Sequence, residues 1–117
     1  MKKISAAFLT TFLFASVAIA SPVGQYSVEG TSPGEGGKYS GDVKVEKTGD
    51  TYRVTWIIGD TTFIGTGIGD DKFIAVSYKS DNDKTGLALY GAAGDNWGGV
   101  WTYSGGKKIG TEVWTRK

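Results

Sequence analysis

Apolar and polar positions alternate with period two along most of the chain after residue 20. In residues 38–47, Tyr39, Val43 and Val45 fall on one face, with Ser40, Asp42, Lys44 and Glu46 on the other. Alternation of this kind belongs to a half-buried β-strand, because successive side chains of a strand point to opposite faces. Residues 51–58 repeat the pattern, with Tyr52, Val54, Trp56 and Ile58 facing inward and Arg53 and Thr55 outward. Further strands are predicted at residues 24–30, 61–68, 72–79, 85–92, 97–103 and 108–116, eight in all, with no helix among them. The segment 72–79 is partly apolar on both faces.

The punctuation between these runs is regular. Gly49-Asp50, Gly59-Asp60, Gly69-Asp70 and Gly94-Asp95 separate neighbouring strands, the first three ten residues apart. A strand of six or seven residues plus a tight turn fills about ten residues, the spacing of consecutive antiparallel hairpins. The simplest architecture is all-β, an eight-stranded antiparallel up-and-down barrel, whose closure removes the exposed edges of an open meander. Glycines inside the strands, at positions 41, 65, 67, 86, 91, 98, 99 and 110, suit the bends of a small barrel. A two-sheet sandwich is the alternative, but only the loop 31–37 could serve as a crossover. The predicted core contains Val43, Val45, Val54, Trp56, Leu87, Leu89, Trp97 and Trp101, while Lys44, Glu46, Arg53 and Lys79 are predicted exposed.

Residues 1–20 stand apart from this rhythm. A basic head, Met1-Lys2-Lys3, precedes an apolar stretch that ends in Ala18-Ile19-Ala20, the small-x-small pattern of a signal-peptidase site. The stretch is short for a membrane span and lacks a basic flank after it. The expectation is a cleaved signal peptide at 1–20 and a single β-barrel domain at 21–117. That implies an exported protein, periplasmic or secreted, with no stable membrane span after cleavage.

Composition narrows the chemistry. Removing Lys2 and Lys3 from the 13 basic residues leaves 11 against 12 acids, a net charge near −1. This balance gives no concentrated positive field for nucleic acid or an anionic membrane. The chain has neither histidine nor cysteine. It therefore lacks the commonest neutral-pH base, thiol nucleophiles and disulfides, and no metal or cofactor site is expected from those groups. Seven acids (Asp50, Asp60, Asp70, Asp71, Asp81, Asp83 and Asp95) fall at turn positions, where they cap backbone N–H groups. No pair of carboxylates is placed across a cleft, so no catalytic residue is assigned and the chain is not expected to be an enzyme. The run Asp81-Asn82-Asp83-Lys84-Thr85-Gly86 has the opening of a calcium loop. Leu89 and Ala92 stand at its ninth and twelfth positions, and the flanks are strands, so a polar hairpin loop is the better reading.

Aromatics are the remaining constellation. Four tryptophans and six tyrosines occur in the chain, none of them before residue 26. An eight-stranded barrel interior holds either its own side chains or one small ligand. The first alternative is a solid aromatic core. The second is a pocket lined by Tyr52, Trp56, Phe63, Trp97 and Trp101, whose polar tips would orient an apolar ligand. Trp114 alternates against Ile109, Thr111 and Val113, which predicts it on the outer face as part of a contact surface.

Several stretches carry a family resemblance: YSVEGTSPG (26–34), KYSG (38–41), TYRVTW (51–56), GTGIG (65–69), GLALY (86–90), GVWTY (99–103) and GTEVW (110–114). Together they resemble a family of small exported alphaproteobacterial proteins that often bear the label fibronectin-binding protein. The resemblance spans nearly all of residues 21–117 and implies a non-enzymatic binding protein with a host or matrix protein partner. A looser resemblance is to the calycin barrels, the avidins and lipocalins, in which a G-x-W in the first strand is covered by a basic residue from the last. Gly24-Gln25-Tyr26 and Arg116 would take those parts here, with tyrosine in place of tryptophan. Two functions therefore stand, a matrix-protein binder acting through loops and outward aromatics and a carrier of a small apolar ligand. A cavity inside the barrel distinguishes them.

Overall fold

In a computed structural model the structure describes residues 21–117, and the proposed signal peptide lies outside them. Eight strands follow in order: β1 (Gly24–Thr31), β2 (Lys38–Thr48), β3 (Thr51–Ile58), β4 (Thr61–Gly69), β5 (Phe73–Ser80), β6 (Thr85–Ala93), β7 (Asn96–Tyr103) and β8 (Gly110–Arg116). Each pairs antiparallel with its neighbour, and β8 returns to β1 to close the barrel. No helix occurs among the described residues. The expected up-and-down barrel is the observed fold.

Three of the four Gly-Asp pairs make the two-residue turns. Gly49, Gly59 and Gly94 occupy the first central position with φ of 67°, 59° and 65°, a backbone that glycine adopts without steric cost. The fourth pair works differently. Gly69 ends β4, and the Asp70 carboxylate accepts the N–H groups of Lys72 (2.8 Å) and Phe73 (3.2 Å) across a three-residue turn. These backbone donors hold the Asp70 carboxyl below its usual range.

Inward faces carry the core. Tyr26, Val28, Val43, Val45, Tyr52, Val54, Trp56, Ile74, Val76, Tyr78, Ala88, Tyr90, Trp97 and Trp114 are buried together. Lys44, Arg53 and Lys79 are exposed as expected, and Glu46 is half-buried. Two face assignments require correction. Leu87 and Leu89 point outward, 59% and 51% exposed, and their smaller neighbours Gly86 and Ala88 face the core beside Tyr90. Register decides this: Ala88 pairs with Val76 and Trp101, which face the interior, whereas Leu87 pairs with Ser77 and Thr102. The segment is apolar on both faces, so side-chain size misleads.

Trp114 is the second correction. It is fully buried, because closure pairs it with Val28 on one side and Trp97 on the other. Val113 and Ile109 take the outer surface instead.

Glycine and aromatic residues face each other across the interior wall. Tyr39 lies against Gly30, Tyr78 against Gly86, Tyr90 against Gly99 and Trp101 against Gly110, each pair in register on adjacent strands. A Cβ at any of these four glycines would collide with the facing ring. Absence of that atom lets each ring lie along the wall instead of projecting across the lumen.

The two barrel ends differ. At one end Arg116 stacks its guanidinium over Tyr26, 4.8 Å from the ring centroid. Arg116 also donates to the carbonyls of Ser21 (2.9 Å), Val23 (3.0 Å) and Asp95 (3.0 Å). The Tyr26 hydroxyl donates to the Pro22 carbonyl at 2.6 Å, and Pro22 is buried. The arm before β1 is thereby drawn across this end and plugs it. This is the Tyr26–Arg116 arrangement expected from the calycin-like reading.

Candidate functional site

The opposite end is open. It is formed by the loops 32–37 and 104–109, the Gly59-Asp60 turn and the loop 81–84. Inside lies a cavity of about 280 Å³. Its volume falls just below the roughly 300–1,000 Å³ usual for small-molecule sites. The walls are Tyr39, Trp56, Ile58, Phe63, Tyr78, Tyr90 and Trp101, with Ser32, Lys84 and Tyr103 at the rim. The core is therefore not solid, as the first alternative had it.

At the base of this aromatic chamber sits Glu112, a carboxylate that is only 6% exposed. Four side chains converge on it. Oε1 accepts from the hydroxyl of Tyr90 (2.7 Å) and from the indoles of Trp114 (2.9 Å) and Trp56 (3.1 Å). Oε2 accepts from the hydroxyl of Tyr39 alone (2.6 Å). Indole N–H groups only donate, so the two tryptophans fix Oε1 as an acceptor. Burying a carboxylate without partners is costly, and these donors replace the water it gives up.

The carboxylate acts back on the phenols. Burial first, and then the negative charge of Glu112, hold Tyr39 and Tyr90 well above the usual tyrosine range. Tyr78 is pushed up to about 12, by burial first and then by the neighbouring Tyr103 and Glu112 charges. Its hydroxyl donates to the Thr102 carbonyl at 3.2 Å. The site thus presents neutral phenols acting as donors around one acidic group.

Aromatic packing holds the frame. Tyr90 and Trp114 lie 4.2 Å apart between centroids, and Trp56 meets Trp114 and Tyr78 edge-on at 6.3 and 5.9 Å. Trp101 contacts Tyr39 at 6.1 Å and Tyr78 at 6.3 Å, both edge-on. Its indole nitrogen is buried but has no hydrogen-bond partner.

Of the five aromatics expected to line a pocket, Trp56, Phe63 and Trp101 do so. Tyr52 and Trp97 do not. Tyr52 follows the β2–β3 turn and Trp97 follows the β6–β7 turn, which places both toward the plugged end. There Trp97 is buried beside Trp114 in register, and Tyr52 carries Lys47 over its ring at 4.5 Å. Tyr39, Tyr78 and Tyr90 take their place in the chamber.

Glu112 is the residue that sequence reasoning missed. The signal was its spacing: Gly110, Glu112 and Trp114 share one face of β8, so an outward Trp114 carries Glu112 outward with it. Glu112 thus adds a buried titratable group to a chamber that was expected to be lined by aromatics.

No family model and no curated protein matches this chain. Among solved structures it is similar to one titled "De novo design of a fluorescence-activating beta barrel". The TM-score is 0.63 at 14% sequence identity, covering 81% of this chain and 93% of that one. At that identity the likeness establishes the barrel fold alone.

Proposed function

We propose that this protein is an exported, non-enzymatic binding protein that holds a small, mainly apolar ligand in the open end of its barrel. The observation that carries this reading is the 280 Å³ chamber walled by aromatic rings beneath a loop-lined mouth. Such a chamber removes apolar ligand surface from water at about 25 cal/mol per Å². The glycines facing the rings maintain the chamber, since side chains there would force the aromatics into the lumen. The solved barrel that resembles this one carries fluorescence activation in its title.

The same inventory supports a reading of binding without catalysis. Glu112 is the single buried acid among the described residues, and its two oxygens are engaged by four donors. Carboxylate-based hydrolysis requires two carboxyl groups facing a substrate.

The test is a titration with N-phenyl-1-naphthylamine, a neutral dye whose emission rises in apolar surroundings. Saturable enhancement at one dye per chain is expected, and Ile58→Trp, which fills the chamber from its wall, should abolish it. No enhancement, or enhancement untouched by Ile58→Trp, would refute the pocket reading.

A second reading, a protein partner such as fibronectin, is favoured by one feature of the outer wall. Ile68, Ala75, Leu89 and Val100 are in register across β4 to β7 and form an outward apolar row, with Leu87 and Phe73 nearby. Binding to immobilised fibronectin that is lost on Leu89→Asp would support it. Absence of binding by the unaltered protein would remove it.

A further inference from the structure

Within the pocket reading, and resting on it, we propose that the ligand is an organic cation. Its protonated amine or amidinium would dock on Glu112 while its apolar body lies among the rings. Three observations lead there. First, Glu112 is buried with no cation beside it. The ion pairs among the described residues are Lys44–Glu46, Lys72–Asp71, Lys79–Asp83 and Lys117–Asp42, all on the surface. Buried charges are ordinarily paired, so this interior lacks a positive partner.

Second, the acceptor capacity of Glu112 is unevenly used. An ionised carboxylate offers about four lone-pair positions over its two oxygens. Oε1 is saturated by three donors, whereas Oε2 holds Tyr39 alone and retains an acceptor position. Both Glu112 and Tyr39 line the cavity, which places the carboxylate and its single Oε2 donor in the chamber wall.

Third, the walls suit a positive charge. The faces of Trp, Tyr and Phe rings carry negative potential and attract cations within about 6 Å of the centroid. Tyr39, Trp56, Phe63, Tyr78, Tyr90 and Trp101 supply six such rings around one carboxylate. A metal ion fits less well, because among the described residues no group of three or more acids converges to ligate one. A carboxylate ligand would meet the Glu112 charge in a medium where like charges repel strongly. Lys84, the positive side chain among the lining residues, is exposed, whereas Glu112 is buried.

The experiment compares three probes of one size on the purified protein near neutral pH: phenethylammonium, 2-phenylethanol and 3-phenylpropionate. Affinities are read by calorimetry and tryptophan quenching. Phenethylammonium is expected to bind at least tenfold more tightly than 2-phenylethanol, with 3-phenylpropionate weakest. In Glu112→Gln the ratio between cation and alcohol should collapse toward one. In Gly91→Ala, whose added Cβ meets nothing within 4 Å and lies outside the chamber, the cation preference should persist.

Equal affinities for amine and alcohol in the unaltered protein would overturn the cation assignment while leaving the pocket intact. A cation preference that survives Glu112→Gln would overturn it as well. Binding of none of the three would refute the pocket itself. If Glu112→Gln does not fold, equal affinities for amine and alcohol on the unaltered chain still overturn the proposal.

Discussion

Trp114 donates its indole N–H to the carboxylate of Glu112, two residues earlier on the same strand, at 2.9 Å. Residues two apart on a strand share a face, so β8 delivers both an acid and one of its donors into the barrel. Donors from β2, β3 and β6 complete the set through Tyr39, Trp56 and Tyr90. One carboxylate therefore ties four strands of the wall together.

Removing it should be expensive. Glu112→Leu strands two indole N–H groups and two phenol hydroxyls, at about 1–3 kcal/mol for each donor left unsatisfied. Relaxation recovers part of this, and a net loss of about 3–5 kcal/mol is expected in urea denaturation. Glu112→Gln keeps one acceptor oxygen and should lose roughly 1–3 kcal/mol. A Glu112→Leu variant as stable as the parent would show that the donors find other partners.

Trp56 is both wall and donor. It is 4% exposed, and its ring meets Trp114 and Tyr78. Trp56→Ala should cost about 3–5 kcal/mol, the range for deleting a buried large aromatic. Trp56→Phe keeps most of the packing but drops one hydrogen bond to Glu112, at about 1–2 kcal/mol. If the two variants were equally unstable, the N–H group rather than the ring would dominate.

The fold was legible because its signals are local. Alternation in 38–47 and 51–58 and the Gly-Asp turns each specify a strand or a hairpin by themselves, and closure follows from having eight of them. The site was legible in part. Trp56, Phe63 and Trp101 were identified, but the end of the barrel at which an aromatic sits depends on its distance from the adjoining turn. Tyr52 and Trp97 begin near turns of the plugged end, and composition carries no trace of that. Glu112 and Trp114 were misplaced for another reason. In β8 an outer position holds Val113 while an inner one holds an acid, so the polar-out rule inverts along this strand.

Alkaline pH should unfold this protein early. A tyrosine whose folded pKa is raised binds its proton more tightly in the native state than in the unfolded chain. Its contribution is fully present below pH 10 and is lost as pH rises through the folded value. For Tyr78, moved from 10 to about 12, this amounts to roughly 2–3 kcal/mol by pH 12, at about 1.4 kcal/mol per unit. Tyr39 and Tyr90 shift in the same direction and steepen the loss. Tyrosinate absorbance and circular dichroism should therefore change together above pH 10, as phenols ionise on unfolding. Smooth ionisation of all six tyrosines near pH 10 with the barrel intact would contradict the burial of these three hydroxyls.

The glycines that face the chamber yield the most direct link between sequence and cavity. A Cβ at Gly86 would collide with the Tyr78 hydroxyl and the Thr102 carbonyl, the two groups that hydrogen-bond to each other above it. Gly86→Ala should break that bond, push Tyr78 into the lumen and cost about 1–3 kcal/mol as overpacking. Dye binding in the chamber should fall with it. Gly91 lies on the same strand, but a Cβ there meets nothing within 4 Å and its backbone is not in the left-handed region. Gly91→Ala should therefore be neutral, or stabilising by about 0.4–1 kcal/mol through a less flexible unfolded chain, with dye affinity unchanged. Thermal melts and dye titrations on the pair check this. Equal destabilisation by both substitutions would mean that β6 rejects alanine for reasons of strand geometry and that the facing ring is not the cause.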